Sequence, residues 1–333
     1  MKAICLAIIV CVTTNTSNPL TLGQELRTEA FEAIIKTIQW ADKIKSYDVE
    51  FVIQRIQSIG DSETTFSSAR IIRELCFDSS RFFINETQGM WYLSLGNRGQ
   101  SDSMKSMFRV GDSNTAKAWT KGFAEGSIAC PNGNCIEAAR TLRWKLLPLC
   151  FVLPLEPNAE EKQVDECVAL LLSKKRSRFI SADQQVLTLN GQEKAIRDFK
   201  IVFDLFDPAN SLHVYIGIEL IVSAEGDDQG YALALKWYNL KDNIEDALSR
   251  SNIVNLDRSV SCKWEKRRFS DNEIVVPIMV QQKYFQEGGQ DTLTQTTSYD
   301  WKKQEEVLKE ITFKEFEESV RDSEKRVNKL LNR

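Results

Sequence analysis

The sequence predicts an α+β fold in which a largely antiparallel sheet follows one helix and is interrupted by a helical, Pro-broken segment. Apolar residues recur with a helical period near the start of the chain and alternate with polar residues over most of the remainder. Turn residues recur at intervals typical of antiparallel hairpins, whereas strands joined by helices would be spaced more widely. The middle of the chain loses the alternation, which indicates an insertion between two sets of strands.

Composition limits the class of protein. The 333 residues include 42% hydrophobic and 27% charged residues, as in an ordinary folded globular protein. The net charge is −4, with 43 basic residues spread among 47 acidic ones. Because no basic stripe is present, we expect no nucleic-acid partner.

Residues 1–23 have the three-part layout of a secretory signal peptide. Lys2 precedes a continuous apolar run, a polar stretch of small residues follows, and we expect cleavage after Gly23. The mature protein is therefore expected to be periplasmic or secreted. The apolar run is shorter than the roughly 20 residues that span a bilayer, and we predict no transmembrane span in the mature chain. Val10 occupies a position where lipoprotein signals have a small residue, which argues against lipid attachment at Cys11.

Because disulfides form in oxidising compartments, export would allow cysteines of the mature chain to form disulfides. Cys130 and Cys135 flank a Pro-Asn-Gly-Asn turn and form the disulfide that the sequence best supports. No second pair and no histidine at ligand spacing accompanies them, so we predict no metal site. Cys76 and Cys262 lie in periodic elements, and we expect both to be small buried core residues.

A helix is predicted to run directly into the first strand. Apolar residues form one stripe between Glu25 and Lys45. From Tyr47 to Ile53 the apolar residues instead alternate with polar ones, as in a strand that is buried on one face. Further strands are predicted as far as Val110.

The insertion is predicted at about 116–177. Its most apolar part, 146–155, contains Pro148 and Pro154, and an interior proline costs a helix about 3 kcal/mol. This segment either lines a lipid-sized cavity or fills the core, and both interpretations stay open. The side chains proposed to line a ligand are Leu146, Leu149, Phe151 and Leu153.

Strands resume at Arg178 and end in a three-strand meander from Ser261 to Trp301. Pro277 lies inside this meander and cannot donate a ladder hydrogen bond, so we expect a sheet edge or a bend there. We predict one domain over 24–321 and a helical tail over 322–333.

Several segments carry a resemblance when they are taken in order. They are the helix–strand junction Ile44 to Phe51, Arg81-Phe82-Phe83, Gly89-Met90-Trp91-Tyr92-Leu93 after a turn, and Ile311-Thr312-Phe313. In order and spacing these segments resemble the bacterial outer-membrane lipoprotein carriers, the LolA/LolB-like family, over most of the chain.

The resemblance implies a strongly curved antiparallel sheet, like a half-open barrel. Its N-terminal helix and helical insertion would cover the concave face, and transporting members of the family hold acyl chains in that space. The segments at Arg81 and Gly89 would be the third and fourth strands. Ile311 to Phe313 would be the last strand, with helix only after about Glu317, although Thr312 and Glu315 also fit a helix-capping box.

The sequence gives little support to catalysis. His213 is the single histidine, and neither a nucleophile elbow nor a Gly-rich phosphate loop is present. We predict no catalytic residue and no cofactor. The primary hypothesis is a non-enzymatic envelope protein that binds a lipid, another hydrophobic molecule or an envelope protein partner. The alternatives are an interaction scaffold with a filled core and an extracellular hydrolase that uses two carboxylates.

Overall fold

The computed structural model describes residues 28–30, 32–34, 36–37, 44, 46–58, 65–77, 81–94, 97–100, 104–112, 115–120, 126–127, 177–189, 192–207, 212–240, 256–269, 272–285, 291–302 and 313–331. The strands, in chain order, are β1 (Tyr47–Ser58), β2 (Thr65–Phe77), β3 (Arg81–Ser94), β4 (Asn97–Gln100), β5 (Lys105–Asp112), β6 (Ala116–Thr120), β7 (Gly126–Ser127), β8 (Ser177–Leu189), β9 (Gln192–Asp207), β10 (Leu212–Ser223), β11 (Ala232–Leu240), β12 (Leu256–Phe269), β13 (Asn272–Phe285) and β14 (Asp291–Lys302). A C-terminal helix follows at Phe313–Leu331.

The described strands form one antiparallel sheet. Their order is β7-β6-β5-β3-β2-β1-β14-β13-β12-β11-β10-β9-β8, and β4 pairs with β3. The antiparallel sheet predicted from the alternation is thus confirmed. In the part of the chain that the structure describes, the sheet is not closed, because β7 and β8 lie at its two ends.

Two predicted boundaries are wrong. The turn expected before Gly89 is absent, since β3 runs without a break from Arg81 to Ser94 and pairs with β2 throughout. The insertion was expected to begin at residue 116, but β6 continues the sheet by pairing with β5. Where β5 ends and β6 begins, the Thr115 amide donates to the Asp112 carboxylate at 2.8 Å.

Parts of the predicted N-terminal helix are described and are helical, at 28–30, 32–34 and 36–37. Ala30 and Ile34 are buried in the main core. The Thr37 hydroxyl accepts a hydrogen bond from the Ala232 amide at 2.9 Å, and the Lys36 ammonium lies 4.6 Å from the ring centroid of Tyr231. The helical residues therefore pack against the start of β11.

The main core gathers side chains from most of the sheet. On β1, β2, β3 and β14 they lie on one face, which we call the core face, and they are Tyr47, Val49, Phe51, Ile72, Cys76, Phe82, Ile84, Tyr299 and Trp301. Aromatic rings dominate this part of the core, so burial of large apolar areas stabilises the sheet here.

Pro277 lies in an interior strand, because β13 has β12 on one side and β14 on the other. Two irregularities accommodate it. The β12–β13 register shifts between Lys263 and Trp264, and the β13–β14 register begins only at Met279. The Pro277 carbonyl accepts a hydrogen bond from the Trp301 indole at 2.7 Å in place of a ladder bond. The bend that the sequence predicts at Pro277 coincides with a β-bulge. On its β14 side Pro277 lies beyond the end of the ladder, so it is locally at an unpaired edge, which suits a residue without an N–H donor.

The C-terminal helix begins at Phe313. Phe313 is therefore not part of the strand that was expected at Ile311 to Phe313. The helix also starts earlier than the expected position after Glu317. The capping-box pattern of Thr312 and Glu315 gives the better prediction of this helix start. Buried apolar side chains of the helix then pack against the sheet, and this packing stabilises the helix more than intrinsic helix propensity does.

The helix covers the opposite face of β2 and β3, which we call the helix face. Val320 packs in a cluster with Leu75, Phe83 and Phe108. Val327 and Leu331 pack in a second cluster with Ala69 and Ile71. The predicted tail after residue 322 is helical as far as Leu331 and contributes to the core of the sheet. No helix in the described residues is both long and apolar enough to cross a membrane.

One ion pair joins this helix to β1, and we expect the stability that it contributes to depend on pH. Arg326 donates to both carboxylate oxygens of Glu50, with the Nη1–Oε2 bond at 2.8 Å. Burial raises the pKa of the Glu50 carboxyl, but the hydrogen bond and charge of Arg326, followed by Lys302 and Arg73, together bring this pKa below its usual value. The ionised, paired form of Glu50 is therefore the one that the folded state favours.

We expect Arg326→Ala to lower the free energy of unfolding at pH 7 by about 1 kcal/mol, a discounted value because half of the Arg326 side chain is exposed. A depressed pKa stabilises the fold above the unfolded pKa, near 4.3, and this contribution disappears as the pH falls through the folded value. The difference in free energy of unfolding between wild type and variant, measured by urea denaturation, should therefore be larger at pH 7 than at pH 3. Lys325→Ala, on the exposed side of the helix, is the control, and equal losses at both pH values would contradict the expectation.

Candidate ligand-binding face

The predicted ligand-lining residues and the predicted disulfide lie outside the described residues. They are Leu146, Leu149, Phe151 and Leu153, and Cys130 and Cys135. They remain predictions, and the site described below is built from other residues.

The prediction that both cysteines are buried core residues is confirmed for Cys76 and is wrong for Cys262, which is only partly buried. Cys76 is fully buried in the main core, and the partly buried Cys262 packs against that core. Burial raises the pKa of the Cys262 thiol to about 12, so this thiol is protonated at neutral pH. Within the described ranges, no group of three or more His, Cys, Asp or Glu side chains is placed to hold a metal ion.

The core face is densely filled at one end of β1. The Phe51 and Tyr299 rings meet edge to face at 5.5 Å, and Tyr299 stacks on Trp301 with centroids 6.3 Å apart. Phe269 meets Trp301 edge to face at 5.5 Å. Side chains thus occupy this part of the face, and it is a core and not a cavity.

The character of the core face changes beyond Phe51. Ile53 packs against the main core but is only half-buried, and Arg55 follows it on the same face. Partly exposed apolar side chains lie on the same face of the neighbouring strands, at Met90, Met107 and Leu293. The side chain of Met107 is among the few large apolar ones whose exposure reaches 36%. Partly accessible apolar side chains are therefore spread over this face among polar ones, and Ile53 connects them to the core.

Charged side chains lie within this surface. On β3, Glu86 is directly opposite Ile72 of β2 and Met107 of β5, so it is a diagonal neighbour of both Arg70 and Arg109. Arg70 reaches one Glu86 oxygen at 2.5 Å, and Arg109 reaches the other at 3.3 Å. One carboxylate thus bridges two arginines that stand on strands either side of it.

A second carboxylate lies deeper. Glu74 is fully buried, and it accepts a hydrogen bond from the buried Tyr47 hydroxyl. Burial lowers the pKa of the Arg109 guanidinium, although the charges of Glu86 and Glu74 act to raise it. The carboxylates therefore do not fully offset the loss of water around Arg109.

The arginines keep unused hydrogen-bonding capacity. The Nε atoms of Arg55, Arg70 and Arg109 are buried, and none has a hydrogen-bond partner in the described part of the chain. Arg55 Nη2 makes one long contact, 3.4 Å from Gln57 Oε1. We call Arg55, Arg70 and Arg109 the arginine patch. It adjoins the apolar surface around Ile53, so the face combines apolar contacts with directed N–H donors.

Periodicity places the arginine patch on a strand face but does not identify it as a site. The alternation in β2 puts Arg70 on the face of Ile72 and Cys76, and a charged residue in an apolar row is the one signal available. Arg55 and Arg109 join it only through the strand order and register, which the sequence pattern does not specify.

The hydrolase alternative requires two neighbouring carboxylates, and Asp198 and Glu219 form such a pair on β9 and β10, toward the β8 end of the sheet. Asp198 of β9 pairs with Ile221 of β10 and is a diagonal neighbour of Glu219. Glu219 Oε2 accepts hydrogen bonds from Lys236 at 3.0 Å and from the Tyr238 hydroxyl at 2.7 Å. Burial, and then the charge of Glu219, raises the pKa of the Asp198 carboxyl. Asp198 is only 6% exposed, so this pair does not offer the accessible cleft that glycoside hydrolysis requires.

No protein-family model matches the chain, and no curated protein matches it in sequence. The solved structures that are similar to it include the following two. An outer membrane lipoprotein-sorting protein domain from Vibrio parahaemolyticus aligns over 87% of this chain and 98% of its own, with 9% identity and a TM-score of 0.32. A DUF1329 family protein from Desulfovibrio piger aligns over 85% and 94%, with 9% identity and a TM-score of 0.32.

Proposed function

We propose that this chain is an exported, non-enzymatic envelope protein that binds a hydrophobic ligand on its core face, beyond Phe51. The observation that carries the proposal is that apolar side chains on the core face, Ile53, Met90, Met107 and Leu293, are only partly buried, and that Ile53 packs against the core. Binding sites for small apolar molecules are mostly lined by such side chains, and flexible methionines adapt to ligands of different shape.

In this proposal the sheet curves as a half-open barrel and the insertion covers the ligand. The apolar segment 146–155 would form the cover, with its lining side chains Leu146, Leu149, Phe151 and Leu153 facing the ligand. The two prolines in that segment, Pro148 and Pro154, would fix its path over the sheet. The signal-peptide pattern at 1–23 supports a location outside the cytoplasm.

The neutral fluorescent probe N-phenyl-1-naphthylamine tests the site. Met107→Asp places a charge in the partly exposed apolar surface, and we expect it to weaken probe binding about tenfold, since burying a charge beside an apolar ligand is unfavourable. Ile56→Asp is the matched control, because Ile56 is 53% exposed and lies on the opposite face of β1. Equal probe affinity in the two variants would place the ligand elsewhere.

Native mass spectrometry of the protein purified from its own envelope tests for a natural ligand. A species of polypeptide mass alone, combined with no binding of the probe, would favour an interaction scaffold with a filled core. That alternative rests on one observation, the dense packing of Phe51, Tyr299 and Trp301 on the core face together with helical residues such as Ala30 in the same core.

A further inference from the structure

We propose that the arginine patch is an anion-binding site and that it selects an amphiphile with a phosphate or carboxylate head group. This inference deepens the proposed function and rests on it, because the apolar part of the same ligand would lie on the adjoining surface of Ile53, Met90 and Met107.

The register places Arg55 beside Arg70, and the Glu86 carboxylate links Arg70 to Arg109. Ile53 of β1 is directly opposite Arg70 of β2, so Arg55, two residues further along β1, is the diagonal neighbour of Arg70. Diagonal neighbours lie about 7 to 8 Å apart, which long side chains easily bridge. Arg109 lies further from Arg55, because the register places it level with Val49 of β1, but it shares the Glu86 carboxylate with Arg70.

The donors of these side chains are not saturated. A guanidinium group has five N–H donors, and a carboxylate or phosphate accepts two of them in parallel. Arg70 and Arg109 each contact Glu86 through Nη2, which leaves the buried Nε of each without a partner in the described part of the chain. A desolvated, charged donor without an acceptor is unfavourable, so both guanidinium groups favour additional negative charge close by.

The charge balance on this face also favours an anion. On the core face of the described strands β1, β2, β3 and β5, the acidic side chains are Glu74 and Glu86. Glu74 is buried beneath the surface and already accepts from Tyr47. Against these two charges stand the arginine patch and the exposed Lys105, which faces Gln88. The net charge of the face is therefore positive.

The surroundings indicate an amphiphile in preference to a free anion. Ile53, on β1, lies between the aromatic core and Arg55, so a ligand whose charged end is at Arg55 has its remaining atoms over apolar side chains. A strand advances about 7 Å over two residues, which is the scale that separates a head group from the first carbons of a chain.

The test compares hexadecyl phosphate with hexadecanol on the full, delipidated chain, by displacement of N-phenyl-1-naphthylamine. We expect hexadecyl phosphate to bind at least tenfold more tightly than hexadecanol, and added salt to reduce the difference. Arg55→Gln and Arg70→Gln should each reduce this preference several-fold without changing the affinity for hexadecanol. Arg267→Gln is the control, because Arg267 is exposed and forms an ion pair with Glu265 in the same strand.

Equal affinity for the two amphiphiles in the wild-type protein would overturn the anion site and leave the proposed function standing. Binding of neither amphiphile would overturn both. Inorganic phosphate, titrated by calorimetry, distinguishes a lipid head group from a free anion, and an affinity equal to that of hexadecyl phosphate would overturn the amphiphile. We expect the Arg55→Gln variant to fold, since the one described side-chain hydrogen bond of Arg55 is the long contact with Gln57. This variant therefore tests the site even if Arg70→Gln does not fold.

Discussion

Replacing Trp301 with alanine is expected to lower the free energy of unfolding by about 3 to 5 kcal/mol, the usual range for a buried Trp. Its ring contacts three aromatic neighbours, Tyr47, Phe269 and Tyr299. Its indole also donates to the carbonyl of Pro277, where the β13–β14 ladder has ended. Chemical denaturation monitored by circular dichroism gives the measurement.

The hydrogen bond can be separated from the packing. Trp301→Phe keeps an aromatic ring but leaves the Pro277 carbonyl without its donor, which should cost about 1 to 3 kcal/mol. Trp237→Phe is the matched control, because Trp237 is 2% exposed and its indole nitrogen has no hydrogen-bond partner in the described residues. The loss of stability should be clearly larger for Trp301→Phe, and equal losses would show that the indole hydrogen bond contributes nothing.

Gly89→Val is expected to lower the free energy of unfolding by about 3 kcal/mol, at the upper end of the overpacking range. A Cβ atom at Gly89 would lie 2.8 Å from Val327 Cγ1 and 3.0 Å from Leu331 Cδ1, both on the C-terminal helix. The helix has to move away from β3 to admit it. Limited trypsin digestion should then cleave at Lys325 and Arg326 faster than in the wild-type protein.

A double-mutant cycle tests the cause. In Gly89→Ala with Val327→Ala, the second change removes the atoms that the new Cβ meets, so the pair should lose less stability than the two single variants added together. Strict additivity would contradict a steric origin. A Gly89→Val protein with wild-type stability and an undigested helix would contradict the close approach itself.

Gly89 also shows why one boundary was predicted wrongly. In sequence, a glycine between two apolar runs is typical of a turn, and the chain was divided there. In the structure the strand continues, and the glycine provides room for a helix that lies far away in sequence. By contrast, Gly226 and Gly230 lie in a turn and have φ angles of 81° and 78°, a conformation that depends on local sequence alone.

The same distinction divides the candidate site. Alternation correctly placed Tyr47 and Phe51 on a buried face, since that pattern lies within one strand. It could not place Arg55 beside Arg70 or join Arg109 to Glu86, because these neighbours depend on register between strands. The C-terminal helix shows a third case, in which the local capping box of Thr312 and Glu315 was a better guide than resemblance to another fold.

The pairing of β1 with β14 has a consequence for how the chain is made. All other neighbours in the described sheet are close in sequence, whereas this ladder joins the first strand to the last, in register from Asp48 with Lys302 to Gln57 with Leu293. During synthesis, the edge of β1 that pairs with β14 therefore has no partner strand until β14 has been made. An open edge of this kind invites pairing with other chains, and closing so long a loop is slow. A nascent or truncated chain that lacks β14 should therefore require a chaperone to keep that edge from aggregating.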